Sequence, residues 1–582
     1  MPSGPLDHPP DTTLVSQLRR HARERGHEVA VTFLENGEDV ESKITYAELH
    51  ASALRVAAGL RARAEPGARV VLGYPNGLEF LVAFFACQYA GMIPVPIAPP
   101  RLRGRTGDLE RMQSILHNAD AAVLLTSERI RAKQSNDGAV NAGWLVLEEL
   151  EGGDSSFTGE LPSADSIAFL QYTSGSTTNP RGVMVTHAGL VANIGAIGQA
   201  MGVEEGARFM GWLPLHHDMG LIGIALHALL RGDPLVLMTP THFVQRPSRW
   251  LAAMSRYRAT FSGAPNFAYD MCVQRSTEAE RQSLDLRHWQ TAFNGAEPVR
   301  AATLDAFART FAPCGFARRA LFPCYGLAES TLYVSGARLQ EDETIVSFDA
   351  AKLALGEVAP PQGSTVRLVS CGESPPGHHV RLVDPQSGTP VREGAIGEIW
   401  VSGPSVARGY WRAEEATAAT FHARLPGEEG EYLRTGDLGF VRNGALFVTG
   451  RLKDLLIVRG RNIYPQDLEH TVAGCCEALL AGSGAAFLDE LEGDEHLVIV
   501  QELRNGVRLD LSAIMEDIAE RLVEVHEVQP HRIVLIGAGS LPKTSSGKVR
   551  RSAARDALRA GLLPVIAELR RDAPRARVQG TG

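Results

Sequence analysis

Residues 166–187 read SIAFLQYTSGSTTNPRGVMVTH. The apolar run IAFLQY predicts a strand and GVMVT a second short strand, with Thr186 as N-cap of a following helix. Between the strands lies a loop of hydroxyls, glycines and one cation. Ser174, Ser176, Thr177 and Thr178 offer O–H donors, Gly175 and Gly182 let backbone N–H groups approach a ligand, and Arg181 supplies positive charge. Such a loop suits phosphate oxygens; an ordinary Ser/Thr-rich turn is the alternative. It is not the common P-loop, which needs Gly, four residues, then Gly-Lys-Ser/Thr opening a helix. No such run follows Gly175, and this loop joins two strands.

The rest of the chain narrows the class. At 582 residues it exceeds one core and predicts roughly three or four structural units. Hydrophobic residues make up 44% and charged residues 21%, an ordinary globular composition. The 58 lysines and arginines against 67 acidic residues leave a net charge of -9, which argues against a dedicated nucleic-acid binder. ATP-sized anions need only a local positive site. The 7 cysteines include no CxxC pair and read as buried thiols of a reducing cytoplasm, the vicinal Cys475 and Cys476 falling in an expected helix. The opening MPSGPLDHPPDTT has neither a basic start nor an apolar core and does not read as a signal peptide. The longest apolar run, FLVAFFACQYAGMIPVPIAPP from Phe80, is broken by Gly91 and prolines before it could span a bilayer, so a buried helix and then a strand are expected.

Strand-like runs alternate with amphipathic helical ones from the start: ARVVLGY precedes LEFLVAFFACQYAG, and AAVLLTS follows another helix. This predicts an α/β architecture with largely parallel sheets. From about Val366 to Phe447 short strands separated by Gly, Pro and Asp (HVRLVD, GEIWVSG, GALFVTG) predict a small antiparallel or barrel-like unit. After Gly450 the pattern reads as a separate α+β domain. Expected boundaries are 1–452 for a large N-terminal domain of α/β subdomains plus the β-barrel-like unit, 453–571 for a small α+β C-terminal domain, and 572–582 for a disordered tail.

Some short matches are decoys. GSGAAF at Gly482 starts like a dinucleotide fingerprint but ends in Phe487, and SSGKVR lacks the upstream glycine of a Walker loop. GGDSS at Gly152 resembles a phosphopantetheine attachment site, yet lies in a polar loop without the small helical domain such a site needs.

YTSGSTTNPRGVMVTH is followed, in order, by LPLHHDMGLIG from Leu213, FNGAEPV from Phe293, YGLAES from Tyr325, YLRTGDLG from Tyr432, GRLKDLLIVRGRNIYPQDLE from Gly450 and LPKTSSGKVRR from Leu541. With these motifs the chain resembles the adenylate-forming superfamily of acyl-CoA synthetases, luciferases and peptide-synthetase adenylation domains. The resemblance implies ATP and Mg2+ as cofactors and carboxylate activation as the chemistry. That reaction brings two anions together, so both need screening, and the developing charge needs a cation.

The resemblance assigns roles to residues that standing alone would read as solvated surface groups. Lys548 looks like the family's mobile lysine, reaching the carboxylate and the α-phosphate. Glu329 resembles the acid that holds Mg2+ against the phosphates. Asp437, assisted by Arg451, is implied to bind the ribose hydroxyls, and Tyr325 to lie by the adenine. Thr173, Ser174, Gly175, Ser176, Thr177 and Arg181 complete the phosphate loop, and Gly295, Ala296 and Gly326 line the nucleotide. His217 resembles the residue shaping the carboxylate end of the acyl pocket, with a core or zinc-binding histidine as the alternative. Lys453 looks like the hinge about which the C-terminal domain swings between adenylation and thioester formation. Small residues at Gly263, Ala264 and Gly295 predict room for an acyl tunnel.

Peptide-synthetase domains anchor an α-amino group with an aspartate of an FDxS-type segment; this chain has LPLHHDMGLIG, so an unaminated carboxylate is expected. PVPIAPP near Pro94, SGAPNFAYDMC from Ser262 and RGRNIYPQDLE from Arg459 resemble the fatty acyl-AMP ligase branch. The stretch between Glu329 and SCGESPPG is about twenty residues longer than the usual connection; in that branch an insertion here packs against the N-terminal domain and hampers CoA use. The implied acceptor is the phosphopantetheine arm of a separate acyl carrier protein, in polyketide, lipopeptide or lipid synthesis. The alternatives are a medium- or long-chain acyl-CoA synthetase and a catalytically idle adenylate-binding scaffold, against which intact Glu329, Asp437, Arg451 and Lys548 argue. Departures from the pattern are Thr178 and Asn179 for the frequent Gly-X, Arg181 for the usual Lys, His216 for a common Tyr, and Ile463 where this branch often has His. Arg181 keeps the charge but offers a planar fork in place of a compact ammonium.

Overall fold

The computed structural model describes residues 12–99, 106–137, 144–151, 157–159, 161–173, 180–458, 461–491, 494–506, 509–544 and 547–571. The GGDSS stretch, the tail 572–582 and phosphate-loop residues 174–179 lie outside them. The chain divides into two compact units, one of residues Met1–Thr173, Thr177–Phe348 and Pro360–Val448, the other of Ser174–Ser176, Asp349–Ala359 and Thr449–Gly582.

The first unit is built on an eight-stranded sheet in the order Tyr333–Gly336, Leu321–Gly326, Thr291–Asn294, Phe261–Gly263, Phe209–Gly211, Leu235–Leu237, Val29–Leu34 and Glu41–Thr45. The interior strands are parallel and the two edge strands antiparallel. Strands such as LVL and FSG are buried throughout, as parallel strands covered on both faces must be. A second sheet, Ile93–Pro96, Arg69–Gly73, Ala121–Thr126 and Trp144–Leu145, is wholly parallel. The apolar run from Phe80 forms the expected buried helix, Leu78–Tyr89, and then the strand Ile93–Pro96. Among the described residues no helix is long and apolar enough to cross a membrane.

Behind the large sheet the core is aromatic. Trp250, fully buried, packs its ring against Trp212, Phe243, Tyr269 and Trp289, and its indole N–H donates to Ser262 Oγ at 2.9 Å. Truncating such a side chain costs about 3–5 kcal/mol. The cluster thereby fixes the strand Phe261–Gly263 from behind. The region from Val366 forms a four-stranded sheet, His379–Val383, Gly397–Ser402, Leu433–Arg442 and Ala445–Arg451, antiparallel across its first three strands.

The second unit is a three-layer sandwich. Its sheet runs Leu479–Leu491, Asp494–Leu503, Arg532–Gly537 and Val565–Arg570. Residues alternate between faces: Ala486, Ile499, Ile533 and Leu535 pack with the helices Pro465–Cys475 and Leu511–His526, while Ala485, Val498, Val500, Val534 and Ile536 pack with Arg551–Arg559. GSGAAF lies inside the first of these strands, which removes the fingerprint reading. Arg551 donates from Nε and Nη2 to Glu469 (2.6 and 2.7 Å) and from Nη1 to Asp454 (3.1 Å).

The long connection after Glu329 divides between the units. Phe348 packs edge-on against Phe440 and Phe447 in the first. Asp349–Ala359 groups with the second, where Asp349 caps the helix Ala350–Ala354 and that helix packs on the strand Arg461–Ile463. The aromatic residue of the insertion thus packs within the first unit, and the helix after it within the second.

Candidate active site

The carboxyl ends of four neighbouring parallel strands deliver the motif loops. Phe209–Gly211 runs into LPLHHDMG, Phe261–Gly263 into APNF, Thr291–Asn294 into GAEP and Leu321–Gly326 into LAES. In open α/β sheets this edge is where ligands bind. Ala296 (φ 71°) and Thr331 (φ 63°) in these loops are left-handed without being glycine. Each such residue costs about 1–3 kcal/mol, and such strain concentrates at ligand clamps. Thr331 is held there by its hydroxyl, which donates to Ser405 O at 2.6 Å.

The phosphate loop is flanked by the expected strands, Ile167–Tyr172 and Gly182–Thr186, paired antiparallel. Thr186 Oγ1 accepts from Gly189 N–H at the start of the next helix. Thr173 N–H donates to Arg181 O at 3.3 Å and Thr173 O accepts from Arg111 at 2.8 Å, which fixes the ends of the loop.

Tyr325 and Gly326 end their strand beside Asp437. The Tyr325 hydroxyl donates to Asp437 Oδ2 at 2.7 Å, and the two residues are only 9% and 6% exposed. Motifs far apart in sequence thus meet in one hydrogen bond. The turn presenting Asp437 is shaped by Glu398, which is 2% exposed. Glu398 Oε1 accepts from Gly436 N–H at 3.1 Å, and Oε2 accepts from Trp400 Nε1 (3.0 Å) and Arg434 (2.9 Å). Asp437 N–H donates to Thr435 Oγ1 at 3.0 Å.

Glu329 sits in the single turn Ala328–Ser330, where its Oε1 accepts from the Tyr410 hydroxyl at 2.9 Å. Burial, and then the Glu329 carboxylate, push the Tyr410 phenol well up, so it stays a donor. The Arg181 guanidinium lies over the Tyr410 ring, 5.1 Å from its centroid. A single carboxylate with one oxygen on a phenol and with Arg181 across the same ring has the donor type that suits Mg2+, which keeps waters and is held by one or two carboxylates together with substrate phosphates. Among the described residues no cluster of three or more His, Cys, Asp or Glu could cage an ion.

His217 opens the helix Asp218–Gly220, its Nδ1 2.6 Å from Asp218 Oδ1. A π-helix, Leu221–Leu226, follows at once; such irregular turns are frequent at functional sites. The loop is pinned by Gln171, whose side chain donates to His216 O, and by Asn76, which bonds Leu213 O and Leu215 N–H.

The small residues expected to leave room for an acyl tunnel are closely packed against neighbouring strands. A Cβ on Gly263 would lie 2.2 Å from Phe293 O and 2.3 Å from its ring. One on Gly295 would meet Cys324 O and Sγ at 2.9 Å. Ala264 is fully buried, its N–H bonded to Phe293 O. Their size admits the neighbouring strands.

Lys548, Lys453 and Arg451 belong to the second unit. Lys548 is half-buried on a tight hairpin, its N–H donating to Thr544 Oγ1 (3.0 Å) and its carbonyl accepting from Thr544 N–H (2.7 Å). Lys453 lies in the turn Leu452–Asp454, and Arg451 ends the strand Ala445–Arg451.

The family model described as "AMP-binding enzyme" matches residues 18–411. The chain belongs to the AMP-binding enzyme family. Its relatives within the family place it in the fatty acyl-AMP ligase branch. It is 40% identical over 94% of its length, and 95% of the relative's, to a medium-chain-fatty-acid–[acyl-carrier-protein] ligase, JamA, of Moorena producens (strain JHB). It is 35% identical to a long-chain-fatty-acid–AMP ligase, FadD32, of Mycolicibacterium smegmatis (strain ATCC 700084 / mc(2)155), over 96% of each chain. Among solved structures it resembles a fatty acyl-adenylate ligase from L. pneumophila in complex with acyl adenylate and pyrophosphate (38% identity, TM-score 0.74, covering 96% of this chain and 98% of that one).

Proposed function

We propose that this AMP-binding enzyme activates a fatty acid with ATP and Mg2+ to an acyl adenylate, and passes the acyl group to the phosphopantetheine thiol of a separate acyl carrier protein in polyketide, lipopeptide or lipid biosynthesis. The observation that carries the reading is the convergence of the motif loops on one sheet edge, where Asp437 meets Tyr325 and Glu329 meets Tyr410. Full-length kinship with fatty-acid ligases supports the substrate class, and the named acceptor of the JamA relative supports the carrier. The cysteines, all free thiols, fit a reducing cytoplasm.

In the first half-reaction a carboxylate oxygen of the fatty acid attacks the α-phosphorus, and the bond to the bridging oxygen of the β-phosphate breaks, releasing pyrophosphate. Asp437 and Arg451 hold the ribose, Arg181 and the phosphate-loop hydroxyls hold the triphosphate, and His217 faces the carboxylate. Glu329 would hold Mg2+, which when bound supplies screening of the phosphate charge. The Lys548 ammonium bridges the two reacting anions where negative charge develops. In the second half-reaction the second unit turns about Lys453, the thiol attacks the acyl carbonyl, and AMP leaves.

Incubation with ATP, Mg2+ and fatty acids of graded length, with CoA or a phosphopantetheinylated carrier, should yield adenylate that persists with CoA and discharges to the carrier, each species read by mass. Rapid acyl-CoA formation would replace the carrier reading with an acyl-CoA synthetase. Removing residues 350–358 should raise acyl-CoA formation if the insertion restrains that turn; a folded variant with an unchanged CoA rate would remove the insertion from the mechanism.

A further inference from the structure

Residues 405–411, SVARGYW, are hydrogen-bonded to two separate parts of the proposed phosphate site. On one side they run along the strand that leaves the phosphate loop. Met184 N–H donates to Gly409 O (2.9 Å), Arg408 N–H to Met184 O (3.1 Å) and Trp411 N–H to Gly182 O (2.8 Å), and Val183 bridges Tyr410. On the other side Ala407 N–H donates to Glu329 O at 2.9 Å, and Ser405 O accepts from Thr331. Tyr410 is where the two sides meet in one side chain. Its hydroxyl holds Glu329 Oε1 while its ring faces Arg181, and it is only 6% exposed. Its own N–H donates to Thr417 Oγ1 at 2.9 Å, which fixes the backbone behind the ring.

We propose that Tyr410 is a positioning residue of the adenylation site, setting the Glu329 carboxylate and the Arg181 guanidinium for a triphosphate before it arrives. The inference rests on the adenylation reading above. A long carboxylate side chain loses rotamer freedom when it takes a ligand, and one already held loses less, so binding is tighter. A phenol donating to an ionised carboxylate is a charge-assisted bond strong enough to hold it.

The test compares Tyr410→Phe, which keeps the ring over Arg181 and loses the hydroxyl, with Tyr410→Leu, which loses both. ATP binding is titrated at equilibrium in EDTA and in Mg2+, beside fatty-acid-dependent ATP–pyrophosphate exchange. Y410F should keep the wild-type melting midpoint and the wild-type ATP affinity in EDTA. The tightening of ATP binding by Mg2+ should shrink roughly tenfold or more, with kcat for exchange falling similarly and the KM for fatty acid unchanged. Y410L should also weaken ATP binding in EDTA, because Arg181 loses the ring it stacks on. Wild-type Mg2+ tightening in Y410F would overturn the proposal. So would a lowered midpoint with ATP and fatty-acid affinity weakened alike, which would reduce Tyr410 to packing. Absence of exchange in the unmutated protein would instead refute the adenylation reading, while the titrations would still decide the role of Tyr410.

Discussion

Lys548→Ala should abolish fatty-acid-dependent ATP–pyrophosphate exchange, by at least about a hundredfold, while leaving the equilibrium affinity for ATP close to wild type. An ammonium poised between an attacking carboxylate and the α-phosphate acts on charge that develops in the transition state, so its loss lowers the rate far more than ground-state binding. The backbone bonds of Lys548 to Thr544 use main-chain atoms at the lysine, so truncating the side chain leaves the hairpin intact. A circular-dichroism melt separates misfolding from lost chemistry. Exchange at the wild-type rate would remove Lys548 from the first half-reaction.

Asp437→Ala should produce the largest loss of nucleotide affinity. Two bonds from ribose hydroxyls to a carboxylate, each a hydrogen bond to a charged group, predict ATP binding weaker by about a hundredfold or more. The variant also removes the acceptor of the Tyr325 hydroxyl. Comparing ATP with 2′-deoxy-ATP separates the effects: the wild type should prefer ATP and D437A should not. A variant that still discriminates between the two nucleotides would place ribose recognition elsewhere.

How much of this was legible in the sequence follows from what kind of signal each feature leaves. The parallel strands announce themselves through unbroken apolar runs, and the phosphate-loop strands and the Thr186 cap lie where their residues predict. The motifs carry the family resemblance, and it is the resemblance that singles out Glu329, Asp437 and Lys548, which standing alone read as solvated surface groups. Their supports are not singled out. Glu398, Tyr410, Gln171 and Asn76 act through bonds across long stretches of chain, and nothing local states the partner. Glu398 left one clue: a carboxylate inside the apolar strand GEIWVS, where an acidic residue is buried only if paired. Glycine is ambiguous in the opposite sense. At Gly263 a missing side chain reads as tunnel space, and the sequence does not show that Phe293 lies close enough to meet a Cβ there. The division of the insertion after Phe348 was similarly unreadable, because loop length says nothing of which body a helix joins.

The ion pairs of Arg551 bear on how accurately the proposed turn of the second unit would deliver its lysine. Three residues after Lys548, this arginine is clamped to Asp454, which adjoins the proposed pivot Lys453, and to Glu469 in the first helix beyond it. Pivot and hairpin are therefore joined by a stiff strut as well as by the intervening fold. In the proposed turn, a rotation at Lys453 would be transmitted to the amine with little backlash, as in a crank rather than a rope. On that proposal the resting place of the ammonium would be fixed at the joint, and the aim of the Lys548 side chain would become a property of it.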